Sequence, residues 1–236
     1  MLILLPPSRG QAALVRRGRT ADLDGLSFPE LTPLRRRLLE TLPDVAAART
    51  LPASTLYTGV LYAALGWDTL DPAARRRGNR RLLIASGLWG LLRPGDRVPP
   101  YRLLIEDRVP GVGPLAGYWR PALTGVLGAA AGPRGLIVDC RSGGYVSAAP
   151  LTGPLGARSV AVRVLQETAG TRTVVSHFAK HTRGELTRFL LESDAEPRTP
   201  AALAEAVRER WPKTELEAPA RTGAAWTLSV VLTGES

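Results

Sequence analysis

The stretch LLIASGLWGLLRP at residues 82–94 decides the fold class of this chain. Its first four residues, Leu82–Ala85, form a short apolar run that predicts a buried strand. The arginine-rich segment before it, Pro72–Arg81, predicts a basic helix that leads into this strand. A helix that passes directly into a buried strand is typical of folds in which helices and strands alternate around a sheet.

The rest of the chain continues this alternation. Apolar runs predict strands at Met1–Leu5, Gly135–Cys140, Arg158–Gln166, Arg172–Ser176 and Ala224–Leu232, and helical spacing predicts helices at Leu31–Leu42, Leu115–Ala131, Ala179–Glu192 and Pro200–Trp211. Residues 8–27 predict a loop, and residues 94–112 predict turns and a hairpin. We therefore predict an α/β or α+β fold, a single compact domain over residues 1–236 with a mixed sheet under helical cover.

Two of these segments carry a more detailed expectation. The alternation of apolar and other residues along Arg158–Gln166 indicates an antiparallel or edge strand. In the helix Leu31–Leu42 the leucines share one face, and Arg35, Arg36 and Arg37 lie mostly away from it.

The composition indicates a globular protein that does not enter the membrane. The chain has 236 residues and 44% hydrophobic content, which suffices for a core, but its apolar stretches fall short of the ~20 residues of a membrane helix. The N-terminus lacks the pattern of a secretory signal. The single cysteine, Cys140, excludes an internal disulfide and suits a reducing compartment. We expect a cytoplasmic protein with no membrane partner.

The charge indicates an anionic partner. A formal net charge of +10 favours binding to nucleic acid or to a smaller anion. Lys180 and Lys213 are the two lysines among the 31 basic residues, so the composition favours arginine throughout and part of the basicity is background.

The segment Ser176–Arg183 holds both histidines, His177 and His181, together with Lys180. On a helix these side chains form either a solvated basic face or a catalytic site. In the second case Lys180 would act as nucleophile or general base and His177 as proton shuttle. Gly184 would leave room for a ligand, and Phe178 is expected to face the core. The two histidines have the spacing of two metal ligands, but no third ligand is in sight, so we expect neither a metal nor another cofactor.

Three further segments place polar residues after apolar runs. The turn with Ser86, Gly87 and Gly90 has amides that could hold a phosphate, with Arg93 and Arg102 adding charge; alternatively, it is a tight turn that buries Trp89. Asp139, Arg141 and Ser142 leave a strand end, where open sheets bind ligands, or else Asp139 and Arg141 pair internally. A weaker polar turn contains Tyr57 and Thr58. We interpret Cys140 as a buried structural thiol.

These segments together resemble the YaaA family. The matching motifs are Met1–Ser8, Tyr57–Gly59, Ser86–Pro94 with Pro100–Leu103, Asp139–Ser142 with Tyr145, and Ser176–Phe178 with Lys180. The resemblance implies an α/β fold with a helix-hairpin-helix-like element, DNA binding, and protection against peroxide damage by limiting free iron. It brings no established catalytic mechanism. The chain departs from the family at Ser8–Gln11, where Arg9 and Gln11 replace the usual glutamate and lysine.

Two functions fit the sequence. The first is a protein that binds duplex DNA or another polyanion in the response to peroxide stress. The second is an enzyme for a small anionic or nucleotide-like substrate, for example in a biosynthetic pathway. Lys180, His177 and Ser8 would be its catalytic groups, and arginines would hold the anion. The sequence does not decide whether the protein is an enzyme, and it leaves the oligomeric state open.

Overall fold

A computed structural model describes residues 1–13 and 17–233. Most of the strands in these residues belong to one large sheet. The strands are β1 (Leu2–Leu5), β2 (Leu51–Pro52), β3 (Leu82–Ser86), β4 (Gly90–Leu92), β5 (Arg97–Val98), β6 (Arg108–Val109), β7 (Gly113–Pro114), β8 (Ile137–Asp139), β9 (Ser159–Thr168), β10 (Thr171–Thr173), β11 (Thr214–Glu217) and β12 (Trp226–Thr233). The sheet has the order β11-β12-β9-β8-β1-β3-β4, and β10 pairs with β9. The short strands β2 and β5 form one separate pair, and β6 and β7 form another.

The helices are α1 (Thr32–Glu40), α2 (Pro43–Ala47), α3 (Ala53–Leu56), α4 (Val60–Leu65), α5 (Pro72–Arg81), α6 (Leu115–Ala131), α7 (Gly143–Ala148), α8 (Gly153–Gly156), α9 (Ser176–Glu192) and α10 (Pro200–Arg208). Two 3-10 turns add Pro29–Leu31 and Trp67–Thr69. Helix α9 packs against α4, α5 and β9, while α6 packs against α7 and β4. Within the described residues, no helix is both long and apolar enough to cross a membrane.

Strand β1 lies at the centre of the sheet because every one of its residues is apolar and buried. It pairs in parallel with β3 on one side and with β8 on the other, so that Leu4 lies between Leu83 and Asp139. Since parallel strands share a direction, β1, β3 and β8 all end at one edge of the sheet, which we call the carboxyl edge. Open sheets bind ligands at this edge.

The predicted fold class is confirmed, with a mixed sheet under helical cover. Arg158–Gln166 was predicted as an antiparallel or edge strand, but β9 lies inside the sheet and runs parallel to both β8 and β12. Its antiparallel pairing is confined to β10, at Gln166–Thr168. Val160, Val162 and Val164 are buried, whereas Arg163 between them is half-buried. The alternation therefore arises because one face of the sheet is more deeply buried than the other. In the predicted loop at residues 8–27, residues 14–16 lie outside the described part of the chain.

Arg35 corrects the prediction for α1, because its side chain is fully buried. Its guanidinium donates to the backbone carbonyls of Trp89 and Leu91 at 3.0 and 2.8 Å, and to that of Ser27 at 2.9 Å. Burial lowers the pKa of Arg35 to about 10, which leaves it protonated at neutral pH. Arg35 thus fastens α1 to strand β4 by hydrogen bonds that helical periodicity does not predict.

Candidate functional site

Four of the five tyrosines converge beneath the carboxyl edge, together with Ser86. The hydroxyls of Tyr57 and Tyr101 lie 2.9 Å apart, and that of Tyr101 lies 2.6 Å from Ser86 Oγ. Tyr62 and Tyr145 lie near enough to raise the pKa of Tyr57 by their charge when ionised. We call these five residues the hydroxyl cluster.

Different elements supply each member of the hydroxyl cluster. Ser86 ends β3, and its Oγ accepts a hydrogen bond from the amide of Trp89 at 2.9 Å. Tyr62 lies on α4 and donates to the carbonyl of Pro6, just after β1, at 2.7 Å. Tyr145 lies on α7, which follows β8. Ser86 and Tyr145 thus come from the ends of β3 and β8, Tyr62 contacts the segment after β1, and Tyr57 and Tyr101 come from the loops after α3 and β5.

Gln11 positions the two hydrogen-bonded tyrosines of this cluster. Its side-chain oxygen accepts from the amide of Tyr101 at 2.8 Å, and its backbone forms an isolated bridge with Tyr57. A lysine, the residue that the resemblance noted in the sequence implies at this position, has no acceptor and could not make the first of these bonds. The departure at Gln11 therefore has a structural role in this chain.

Burial keeps the phenols of the hydroxyl cluster protonated. Desolvation raises the pKa of Tyr57, Tyr62, Tyr101 and Tyr145 well above the ordinary tyrosine value. The hydroxyl of Tyr145 is buried near the amide of Ile105, but no described residue partners it in hydrogen-bond geometry. Neutral phenols donate hydrogen bonds, and at neutral pH they do not act as bases.

The predicted residues Ser8 and Thr58 lie at the surface beside the cluster. Ser8 Oγ accepts from the amide of Gly10 at 3.2 Å, and the amide of Thr58 donates to the carbonyl of Gly10 at 2.9 Å. Gly59 adopts φ 101°, and a methyl group there would lie 2.8 Å from Ser8 Oγ. Glycine at position 59 thus allows the turn after β1 to meet the turn before α4.

Lys180 and His177 are exposed near the start of α9. Gly184 packs on α4, since a methyl group there would lie 2.2 Å from the carbonyl oxygen of Leu61; it makes room for a helix and not, as expected, for a ligand. Lys180 precedes Gly184 by one turn on the same face. Arg188, one turn later, reaches the end of α4. The two helices therefore run in parallel, and Lys180, one turn before Gly184, lies towards the start of α4.

His181 and Phe178 of the Ser176–Arg183 segment face solvent. His181 Nδ1 lies 3.3 Å from a carboxylate oxygen of Glu185, one turn further along α9. Phe178, which was expected to face the core, is 45% exposed, and its ring meets that of His177 edge to face.

Asp139 and Arg141 pair with each other at the end of β8. Both are buried, and Arg141 Nη2 lies 2.8 Å from Asp139 Oδ2. Arg141 also donates to the carbonyl of Tyr145, so that the pair fixes α7 to the strand end. Ser142 is exposed beside them. The internal pair, one of the two interpretations of this motif, is the arrangement observed.

The Ser86–Gly90 turn is buried. A methyl group at Gly87 would lie 2.5 Å from the carbonyl oxygen of Leu103, and one at Gly90 would lie 2.7 Å from the Trp119 ring. Packing therefore covers this turn, and its glycines do not lie at an open surface. Arg93 donates to the carbonyls of Asn79 and Arg80 and lies over the ring of Phe28, whereas Arg102 is exposed.

A different hairpin is exposed; it overlaps the turns and hairpin predicted at residues 94–112, but the sequence interpretation did not propose it as a site. Strands β6 and β7 form it over residues 108–114, directly before the long helix α6. Gly111 and Gly113 adopt φ 72° and 99°, and a methyl group on either would meet no described atom within 4 Å. The signal that identifies this proline–glycine hairpin is a Gly-x-Gly sequence between Pro110 and Pro114.

The proline–glycine hairpin encloses an open hollow of about 380 Å³, lined by residues 108–113. A smaller hollow of about 100 Å³ lies between the hairpin tip and the end of α1, where Arg37, Glu40 and Thr41 line it. Arg37 Nη2 donates to the carbonyl of Gly111 at 2.9 Å. Arginines from two separate elements, Arg37 and Arg108, thus flank the exposed glycines.

Comparison with known proteins matches residues 21–214 to the family described as "Peroxide stress protein YaaA". A UPF0246 protein of Streptomyces coelicolor is 41% identical, over 98% of both chains. Another from Corynebacterium efficiens is 39% identical over 88% of this chain and 92% of its own, and one from Cereibacter sphaeroides is 36% identical over 79% and 74%. The chain therefore belongs to the YaaA family of peroxide stress proteins.

Proposed function

We propose that this protein binds duplex DNA through the phosphate backbone, at the proline–glycine hairpin, as its part in the peroxide-stress response of its family. The observation that carries the proposal is the exposed hairpin of residues 108–114 at the start of α6. Glycines with open space above them allow the backbone to approach a phosphate closely.

The electrostatics of the hairpin favour an anion. Helix α6 has 17 residues, and its N-terminus carries a partial positive charge that points into this region. Arg37 and Arg108 add two full charges on either side of the glycines. Glu40 contributes a carboxylate to the smaller hollow, but the chain as a whole carries a net charge of +10.

The hairpin favours the duplex backbone over unpaired bases. Proteins that hold single strands stack the bases on exposed aromatic rings. Phe178 on α9 is the large aromatic side chain that is exposed within the described residues, and it belongs to another part of the protein. Contacts to phosphates alone carry no direct information on sequence, so we expect weak sequence preference.

The test is a double variant, Arg37→Ala with Arg108→Ala, measured by fluorescence anisotropy on several unrelated duplexes. The matched control is Arg134→Ala with Arg221→Ala, which removes the same charge from exposed positions. Arg134 follows the far end of α6, about 25 Å from the hairpin at 1.5 Å per residue. We expect the hairpin variant to lose affinity at least about tenfold on every duplex, as for lost phosphate contacts.

The control variant should bind nearly as well as the wild-type protein. Equal losses in the two double variants would mean that net charge alone drives binding, and the hairpin would then not be the site. Unchanged affinity in the hairpin variant would also exclude it.

A further inference from the structure

The hydrogen bonds of the hydroxyl cluster leave donors unused. Tyr57, Tyr101 and Ser86 bring three hydroxyl protons, and two hydrogen bonds join the three oxygens in a row. Whichever way the hydroxyl protons of this row are oriented, one of the three has no acceptor within the row. The Tyr145 hydroxyl is a further buried donor without a hydrogen-bond partner among the described residues, and Tyr145 lies near enough to Tyr57 to raise its pKa.

These unused donors share one environment. The phenols are neutral because burial raises their pKa, and Tyr62 is already satisfied by the carbonyl of Pro6. Buried donors without acceptors are uncommon in folded proteins, since each one forfeits its hydrogen bonds to water. Preorganised donors in a poorly solvated site interact strongly with a negatively charged acceptor.

We propose that the hydroxyl cluster is a second binding site, distinct from the hairpin, that takes a small molecule through an oxyanion, either a carboxylate or a phosphate. The oxyanion accepts hydrogen bonds from Tyr145 and from the free end of the Tyr57–Tyr101–Ser86 row. A group that only accepts hydrogen bonds fits here, because the hydroxyls of these residues include unused donors and the residues themselves carry no negative charge.

The site lies just below the surface at the carboxyl edge. Tyr62, Tyr101 and Tyr145 each keep 6–7% of their surface exposed. Ser8 and Thr58 meet at Gly10, beside Tyr57 in the chain. Helix α9, which carries the exposed Lys180, packs against α4, which carries Tyr62. Asp139 at the end of β8 is neutralised by Arg141, but the carboxylates of Glu106 and Asp107 also lie near Tyr145 and oppose an anion there. Glu106 is exposed, so solvent screens its repulsion, and the neutral donors together with Lys180 must outweigh what is left.

The experiment compares thermal unfolding of the full chain in sodium phosphate, sodium acetate and sodium chloride at equal ionic strength. Chloride controls for ionic strength, and the other two salts distinguish a phosphate site from a carboxylate site. We expect phosphate or acetate to raise Tm above the chloride value, by roughly 5–10 °C at a hundredfold excess over Kd.

The decisive variant is Tyr145→Phe, with Tyr118→Phe as its matched control. Tyr118 is the fifth tyrosine, and its hydroxyl donates to the carbonyl of Leu34 away from the cluster. We expect Tyr145→Phe to melt no lower than wild type in chloride, because the lost hydroxyl had no partner. It should lose the oxyanion-dependent rise in Tm, whereas Tyr118→Phe should keep it.

Other outcomes overturn the proposal. The site is excluded if neither phosphate nor acetate raises Tm above the chloride value, or if Tyr145→Phe keeps the full rise. If Tyr145→Phe does not fold, Tyr57→Phe, which removes one end of the hydroxyl row, takes its place under the same criterion.

Two further measurements distinguish this site from the proposed DNA site. The double variant of Arg37 and Arg108 should keep the oxyanion response, and Tyr145→Phe should keep wild-type affinity for DNA. If the hairpin variant loses the response, the oxyanion binds at the hairpin, and the cluster proposal fails while the proposed function stands.

Discussion

The hydroxyl oxygens of Tyr57 and Tyr101 lie 2.9 Å apart although 44 positions separate the two residues in the chain. Tyr57 follows the short helix α3, and Tyr101 lies in the segment after β5. Gln11 holds both, through a side-chain hydrogen bond to one and a backbone bridge to the other. Three loops are thereby joined at the carboxyl edge.

Ser86 is expected to be the most important hydroxyl of the cluster for stability. Its oxygen accepts from the buried amide of Trp89, and Ser86→Ala leaves that amide without its partner. We expect a loss of roughly 1–3 kcal/mol in the free energy of unfolding, measured by urea denaturation. Ser142→Ala, at an exposed serine that makes no capping hydrogen bond, should change it by less than about 0.5 kcal/mol. Equal effects would show that the Trp89 amide does not depend on Ser86.

Arg35 and Arg36 are neighbours, but replacing them is expected to change the free energy of unfolding very differently. Arg35→Met removes the hydrogen bonds to Trp89 and Leu91 and leaves buried carbonyls unpaired, which should cost roughly 3 kcal/mol or more. Arg36 is exposed, and its contact with Asp24 is 3.9 Å long, so Arg36→Met should stay within about 0.5 kcal/mol. Urea denaturation of both variants measures the difference. Similar stabilities would contradict the role given to Arg35.

The buried phenols predict a loss of stability at alkaline pH. Their pKa in the folded protein lies above the ordinary value of 10.0, so above about pH 10 the unfolded chain releases protons that the native state retains. Stability is therefore complete below that pH and falls as the pH rises further. We expect four of the five tyrosines to ionise only with unfolding, when tyrosinate absorbance and circular dichroism are followed together. Reversible ionisation of two or more tyrosines in the folded state would contradict this.

Much of the fold follows from the sequence, because apolar runs and helical spacing report which residues are buried. Helix α6 was predicted with its observed bounds, and the strand at Leu82–Ala85 was extended by one residue, Ser86. The partners of polar residues do not follow in this way. Arg35 is buried because backbone carbonyls from distant segments surround it, and no local pattern reports their arrangement.

The candidate sites were harder to predict for the same reason. Both Gly90 and Gly111 adopt positive φ in a turn, but Trp119 packs over Gly90 whereas Gly111 faces open space. The sequence contains both turns, and tertiary packing decides which one is exposed. The hydroxyl cluster likewise joins residues that are distant in the sequence and that only tertiary packing brings together.

Lys180 is expected to be functional and Lys213 replaceable. Lys213 forms an exposed ion pair with Glu167 at 3.1 Å, which arginine can also make. If Lys180 assists the oxyanion with a compact ammonium group, the bulkier planar guanidinium of arginine should fit poorly. We expect Lys180→Arg to keep stability within ~0.5 kcal/mol but to lose the oxyanion-dependent rise in Tm, while Lys213→Arg keeps both. Identical behaviour of the two variants would make Lys180 part of a solvated helix face.

The most direct test of DNA binding at the hairpin is the salt dependence of duplex affinity. The logarithm of the binding constant should fall linearly with the logarithm of salt concentration, with a slope of about −0.9 per phosphate contact. We predict at least about a tenfold loss for the wild-type protein between low and physiological salt. The slope should be smaller by about two contacts in the Arg37→Ala, Arg108→Ala variant. Salt-independent binding, no binding at low salt, or the same slope in both proteins would contradict the account.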